Sequence, residues 1–127
     1  MRTNLEVRCL EFGVGVIKFV RENGSEGLTQ RSREQLVSSA TSIGANVAEA
    51  RSGQSRADFI SKMEIALKEA RETDYWLTVL CRLIESPTEI QKGLLQECNE
   101  ITAMLVASVK TAKANRALSG GKQSAGW

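Results

Sequence analysis

Residues 36–53, LVSSATSIGANVAEARSG, limit the choice of fold more than any other stretch of this sequence. Apolar side chains recur there at steps of four, three, four and three residues, so they share one face of an α-helix. They are Leu36, Ala40, Ile43, Val47 and Ala50. A stripe of mostly small and polar residues runs beside them: Gln35, Ser39, Ser42, Asn46, Glu49 and Gly53. Small side chains let a second helix come close, and polar groups buried there would need hydrogen-bond partners.

The composition favours an all-α fold in one domain. The chain has 127 residues, of which 42% are hydrophobic and 25% charged, as is usual for a globular protein. It contains a single proline, Pro87, and few aromatic residues. A β-sandwich would carry more turn residues and more alternation of β-branched side chains. We therefore expect one helical domain over residues 1–117, followed by a flexible tail over residues 118–127.

Breaks in the helical pattern divide the domain into four helices. The first is predicted over residues 5–22, the second from about Thr29 to 51–53, the third over 56–85, and the fourth after the break at residues 86–88. Thr29, Ser55 and either Ser86 or Thr88 are candidate N-caps. Four amphipathic helices with short connections predict an antiparallel up-down-up-down four-helix bundle. A three-helix fold is the alternative, if the second and third helices continue through Gly53.

The same spacing predicts which residues form the core of the other helices. For the first helix the predicted seam is Val7, Leu10, Val14, Ile17 and Val20, widened by Phe12, Val16 and Phe19. For the third it is Phe59, Met63, Ala66, Ala70, Thr73, Leu77, Leu80 and Ile84. For the fourth it is Ile90, Leu94, Cys98, Ile101, Leu105, Ser108 and Ala112.

The second half of the third helix has apolar residues around nearly its whole circumference. A helix at the edge of a small bundle normally keeps one polar face in water. A helix that is apolar all round predicts a second buried surface, supplied by another subunit. The candidate interface residues are Tyr75, Trp76, Val79 and Leu83, and the prediction is a homo-oligomer.

The residue types argue against an enzyme. The sequence has no histidine, which removes the usual general base and the nucleophile–histidine pairs. Glu49, Glu69 and Glu72 could form an all-carboxylate metal site, but salt bridges are the preferred interpretation. The three cysteines lack the spacing of a zinc site and suit reduced thiols in a cytoplasmic protein. We expect no metal, no cofactor and no membrane span.

The basic residues have two interpretations. The net charge is only +2, but no acidic residue follows Glu100. Candidate phosphate-binding residues are Lys110, Lys113 and Arg116 on the fourth helix, with Arg31, Arg33 and Arg51 near the ends of the second. They could simply be solvent-exposed charges, because cations near a helix C-terminus stabilise the helix and surface lysines keep a protein soluble. In a ring of subunits, however, the same charges would repeat around the axis and could hold a nucleic-acid backbone.

Two motifs carry a family resemblance. Residues 42–50, SIGANVAEA, resemble the S-I-P-A-N-I-A-E-G signature of the four-helix-bundle proteins related to the 23S rRNA intervening-sequence protein. That family includes the accessory variability protein of diversity-generating retroelements. Residues 65–77, IALKEARETDYWL, are similar to a second family element on the third helix. Gly44 stands where the family has proline, and Ala50 where it has glycine.

The resemblance implies a homopentamer without known enzymatic activity. In the retroelement branch it further implies binding to nucleic acid and to a reverse transcriptase. The polar positions that match the signature are Ser42, Asn46, Glu49 and Glu72, for which we favour a hydrogen-bond network between the second and third helices. Our first hypothesis is thus an oligomeric accessory protein that binds RNA or DNA. The second is an oligomeric protein–protein adaptor with no nucleic-acid role.

Overall fold

A computed structural model describes residues 1–23, 27–84 and 86–118 of the chain. Its four helices are α1 (Asn4–Asn23), α2 (Gln30–Arg51), α3 (Arg56–Leu83) and α4 (Glu89–Leu118). The four-helix prediction is confirmed, and the three-helix alternative is wrong because α2 and α3 are separate. Leu118, the first residue of the predicted tail, is the last residue of α4. The rest of the predicted tail, residues 119–127, lies outside the described residues.

Hydroxyl side chains begin α2 and α3 as the sequence predicts. Thr29 accepts a hydrogen bond from the backbone N–H of Ser32 at 3.1 Å. Ser55 accepts one from the backbone N–H of Asp58, also at 3.1 Å. Each bond satisfies an amide that has no partner within its own helix, which fixes where the helix starts.

The other two helices begin with reciprocal capping boxes. Thr88, one of the two candidates for α4, accepts from the N–H of Gln91 at 3.2 Å, while the Thr88 N–H donates to the Gln91 side chain at 2.7 Å. Thr3 and Glu6 make the same pair of bonds at the start of α1, at 3.2 and 2.8 Å. At both helix starts, the carboxylate or amide three residues after the threonine therefore accepts a bond from the threonine N–H, as in a capping box.

Each helix packs against two neighbours. In the described ranges, contacts join α1 to α2, α2 to α3, α3 to α4 and α4 to α1, while α1 and α3 lie diagonally opposite. Between neighbours, residue numbers rise along one helix as they fall along the other, which indicates antiparallel packing. Such contacts join Cys9 with Gly44, Gly13 with Thr41, Glu49 with Lys62, Ser39 with Thr73, Glu64 with Lys113, and Ala70 with Cys98.

The stripe on α2 lies at the centre of the core, as predicted. Its five apolar residues are all buried, and Leu36, Ala40 and Ile43 have no exposed surface. On α3 the inner six residues of the predicted seam are buried too, from Met63 to Leu80. In the seam predicted for α4, Cys98, Ile101 and Leu105 are buried as expected. The prediction is wrong at Ile90, which is exposed, and Gln91 is buried in its place.

The core prediction for α1 is right at Phe12, Val16 and Phe19, but it is wrong along the seam that begins at Val7. The core face of α1 consists of Cys9, Phe12, Val16 and Phe19, together with Glu6 and Gly13. Val7, Leu10 and Val14 are exposed instead. The two sets have the same spacing, displaced by two residues, so periodicity alone does not choose between them. The set with two phenylalanine rings removes more apolar area from water, and that set faces the core.

Candidate nucleic-acid interface and association surfaces

The four polar signature residues do not form the network expected between α2 and α3. Asn46 donates to the backbone carbonyl of Ser42 at 2.8 Å, within α2. Glu72 accepts from the indole N–H of Trp76 at 3.4 Å, within α3. Among the bonds of the described residues, only that of Glu49 reaches the other helix, at Lys62 at 3.2 Å, and both side chains are partly exposed to water. These residues therefore contribute mainly to their own helices.

A different pair links α2 and α3 in the core. The hydroxyl oxygens of Ser39 and Thr73 lie 2.9 Å apart, and both residues are buried. Each hydroxyl also has a carbonyl of its own helix within reach, Leu36 at 3.2 Å for Ser39 and Glu69 at 2.8 Å for Thr73. Sequence analysis placed these residues on inner stripes of two helices. It missed the bond, because that depends on the register between the helices.

The six candidate phosphate-binding residues fall at two ends of the bundle. Arg31 and Arg33 lie in the first turn of α2, whereas Arg51 is its last residue. Since α2 has 22 residues, at about 1.5 Å per residue its ends lie about 30 Å apart. The last turns of α4 lie at the Arg51 end, because α3 and α4 pair Glu64 with Lys113 there. The predicted set is thus two separate groups.

Some of these cations are partly neutralised by neighbouring groups. Arg51 donates to the Glu6 carboxylate at 2.7 Å and to the backbone carbonyl of Met1. Lys113 pairs with Glu64 at 3.1 Å, and the Arg33 side chain donates to the Leu28 carbonyl at 2.9 Å. Bonds of this kind fix a side chain and lower its availability to a phosphate.

The basic end of α4 shares a shallow groove with α3. Arg116 lines this groove together with Lys68, Ser61 and Glu64 of α3. Lys110 is exposed nearly two turns before Arg116, and Lys113 lies between them. We call Lys68, Lys110, Lys113 and Arg116 the α3–α4 basic face, and Glu64 is the one carboxylate among the residues that line the groove. Lys68 belongs to this face but was not among the predicted residues, because it lies on another helix.

Glu6 is the most buried acid among the described residues, and it ties the start of α1 to the end of α2. The backbone N–H of Thr3 donates to its carboxylate, and this bond is the main reason that the pKa of Glu6 lies below its usual range. The Arg51 guanidinium lowers the pKa further, whereas burial opposes the shift. Glu6 is therefore charged at neutral pH, and it holds Arg51 in place.

The predicted interface residues of α3 divide into two kinds. Tyr75 and Leu83 are exposed, by 61% and 59%. Trp76 and Val79 are half-buried and pack against the core of their own chain. Tyr75 lies edge-on to Trp76, with ring centroids 5.3 Å apart. The second half of α3 thus keeps an apolar outer side that its own bundle does not cover.

The described residues hold no cluster of three metal-binding side chains. Burial raises the pKa of the Cys9 and Cys98 thiols to about 12, so both are protonated at neutral pH and poorly suited to nucleophilic or ligand roles. Burial also raises the pKa of Glu69, with the Glu72 carboxylate adding to the shift. None of the helices, over the described ranges, is long and apolar enough to cross a membrane.

Comparisons with known proteins agree with this architecture. The family model of the 23S rRNA-intervening sequence protein matches residues 7–107. A crystal structure from Bacteroides thetaiotaomicron, described as a protein of unknown function from the S23 ribosomal protein family, is similar, with 39% identity and a TM-score of 0.77. The match covers 84% of this chain and 98% of that one. A search of curated proteins found no match. The chain belongs to the 23S rRNA-intervening sequence protein family.

Proposed function

We propose that this protein is a self-associating, non-catalytic accessory factor that binds the phosphate backbone of RNA or DNA through the α3–α4 basic face. The observation that carries the proposal is the grouping of Lys68 and Arg116 in one groove, with Lys113 paired to Glu64 of the same groove. Contacts of lysine and arginine with phosphate supply most non-specific affinity for nucleic acid. The names of the family and of its solved member, which refer to rRNA and to ribosomal proteins, add support for RNA.

We propose a smaller set of contacts than the sequence predicts. Arg31 and Arg33 lie at the other end of α2, about 30 Å away, too far to join the same short stretch of backbone. Arg51 is held by Glu6, so its main role is in the fold. Lys113 remains in the set, because its pair with Glu64 is largely solvent-exposed and easily exchanged for a phosphate.

Self-association would increase the affinity that these charges give for a phosphate backbone. A net charge of +2 per chain is modest. Copies arranged around an axis would repeat the α3–α4 basic face, and a continuous ring of positive potential would bind a phosphate backbone more tightly than one copy. A homopentamer, a cytoplasmic location and binding to a reverse transcriptase remain predictions from the family resemblance.

The test is a titration of labelled single-stranded RNA, and of duplex DNA, at several salt concentrations. We expect binding whose affinity falls as salt rises, with a log–log slope of about −0.7 per phosphate contact for a single strand. The triple variant Lys110→Glu, Lys113→Glu and Arg116→Glu should lose this binding while its circular dichroism is unchanged.

A matched control carries the same change of charge at the other end of the bundle. Arg21, Arg31 and Arg82 are exposed there, and their replacement by glutamate should weaken binding much less. Equal losses in both triple variants would mean that only net charge matters and would overturn the assigned face. Absence of salt-dependent binding by the wild type would favour the adaptor function, which the exposed apolar side of α3 also supports.

A further inference from the structure

A cavity near the Arg51 end of the bundle is lined by residues of all four helices. Its apolar walls come from α1, α2 and α3 and consist of Leu5, Val47, Phe59 and Met63. Helix α4 contributes Ser108, which is half-buried. The cavity has a volume of about 260 Å³, whereas about 150 Å³ is enough for a benzene ring. It can therefore hold one aromatic ring with a polar substituent.

The Glu6–Arg51 pair lines the same cavity, and each partner keeps polar atoms that the pair does not use. The Glu6 side chain is only 9% exposed. Its carboxylate accepts from Arg51 at 2.7 Å and from the Thr3 N–H at 2.8 Å, and both bonds end at Oε2. Arg51 uses only Nη1 for its bonds to Glu6 and to the Met1 carbonyl. Among the bonds of the described residues, Oε1 of Glu6 and both Nη2 and Nε of Arg51 have no partner.

These open atoms define the chemistry of a fitting ligand. Oε1 of Glu6 can accept one N–H, and Arg51 can donate to a carbonyl oxygen or a ring nitrogen beside it. The charges of the pair balance each other, so a charged ligand would bring an uncompensated charge among apolar walls, which is costly. The site therefore favours a neutral ring whose edge has adjoining donor and acceptor atoms, a pattern that every nucleobase carries.

We propose that this cavity binds one nucleobase, with its ring between the apolar walls and its edge against Glu6 and Arg51. Binding leaves the bond between these two residues in place, because it uses the atoms that this bond does not. Phe59 and the thioether of Met63 add favourable contacts with an aromatic ring. The site goes beyond the proposed function, in which the α3–α4 basic face contacts phosphates. The base can belong to a free nucleoside or to a single strand.

The test follows the amide and methyl NMR signals of the full chain during titration with uridine and with benzamide, a neutral ring with the same kind of edge. We expect shifts confined to the cavity, at Leu5, Val47 and Met63, and a dissociation constant of about 1 mM, as for other ligands of this size. Benzoate and benzylamine keep the ring but carry a charge. Each should bind at least about tenfold more weakly than benzamide.

Two variants examine the polar edge and the cavity separately. Arg51→Lys keeps a cation beside Glu6 but removes the planar fork of donors, and Ser108→Leu fills the cavity from α4. Each should weaken the binding of benzamide and uridine at least about tenfold, with thermal unfolding to confirm that the variant is folded. Arg82→Lys and Ser38→Leu make the same changes at exposed positions and should bind like the wild type.

A uridine trinucleotide identifies the source of the base. Cavity shifts with both the trinucleotide and uridine indicate a strand, and shifts with uridine alone indicate a nucleoside. The proposal is overturned if the neutral probes cause no shift in the cavity, if the charged probes bind as well as benzamide, or if either variant binds like the wild type. Uridine and benzamide carry no phosphate, so such a failure leaves the α3–α4 basic face standing, and loss of salt-dependent RNA binding leaves this site standing.

Discussion

Helices α1 and α2 lie side by side in the bundle, but they use their apolar residues differently. The stripe of α2 is buried along its whole length, and Ile43 has no exposed surface. Helix α1 has two stripes of the same spacing, of which one faces the core and the other, with Val7, Leu10 and Val14, faces outward. The fold of one chain explains the apolar pattern of α2 completely. In α1 it explains only the stripe that faces the core, and the exposed stripe is consistent with the self-association in the proposed function.

The largest expected difference between the two helices is in core truncation. Ile43→Ala should lower the free energy of unfolding by about 2–5 kcal/mol, because it leaves a cavity in a fully buried site. Leu10→Ala should change it by less than about 0.5 kcal/mol. Both changes are measured by urea unfolding at a low protein concentration. A loss at Leu10 as large as that at Ile43 would mean that the outer side of α1 supports the monomer.

Removing the hydroxyl pair between α2 and α3 should lower the free energy of unfolding by less than core truncation does. Thr73→Val keeps the shape of the side chain but removes the hydroxyl next to Ser39. It should lower the free energy of unfolding by about 1 kcal/mol. Thr41→Val is a matched control, since that half-exposed hydroxyl bonds to the Val37 carbonyl within α2 and should cost less. A double-mutant cycle with Ser39→Ala should give a coupling of about 0.5–1 kcal/mol. A coupling of zero would show that each hydroxyl bonds only to its own helix.

The Glu6 carboxylate joins α1 to α2 through Arg51, and this link should depend on pH. Because the pKa of Glu6 is lower in the folded chain than in the unfolded one, its contribution is present above the ordinary glutamate pKa of about 4.3 and is lost as pH falls through the lowered value. Thermal unfolding followed over this acid range should show a smaller decrease in Tm for Glu6→Gln than for the wild type. The exposed residue Glu11, changed to Gln, is the control, and an identical decrease in Glu6→Gln would contradict the assignment.

The smallest expected effect compares two glycines in helices. A Cβ added at Gly93 meets no atom within 4 Å, so Gly93→Ala should stabilise the chain by about 0.5–1 kcal/mol through helix propensity. A Cβ added at Gly44 would lie 3.2 Å from the Cβ of Cys9, where α1 and α2 meet. Gly44→Ala should therefore stabilise less than Gly93→Ala or destabilise the chain. If urea unfolding gives equal increases in the free energy of unfolding for both variants, α1 and α2 are packed less closely at Gly44 than the structure shows.

Local signals predicted most of the fold. The caps at Thr29 and Ser55 are set by residues three positions apart, and the stripe of α2 has only one possible core face. In α1 two faces fit the same period, and only the volume of Phe12 and Phe19 distinguishes them. The candidate site was harder to predict, because the pairing of Lys113 with Glu64 and the addition of Lys68 depend on the register between helices.

The central proposal is that the chain self-associates, and the exposed apolar residues on the outer side of α1 favour that side as part of the contact. The most direct measurement is the molar mass of the wild type beside that of Leu10→Glu, determined by light scattering over a range of concentrations. The account predicts a multiple of 13.9 kDa for the wild type and a monomer for the variant. The same multiple for both proteins would contradict it.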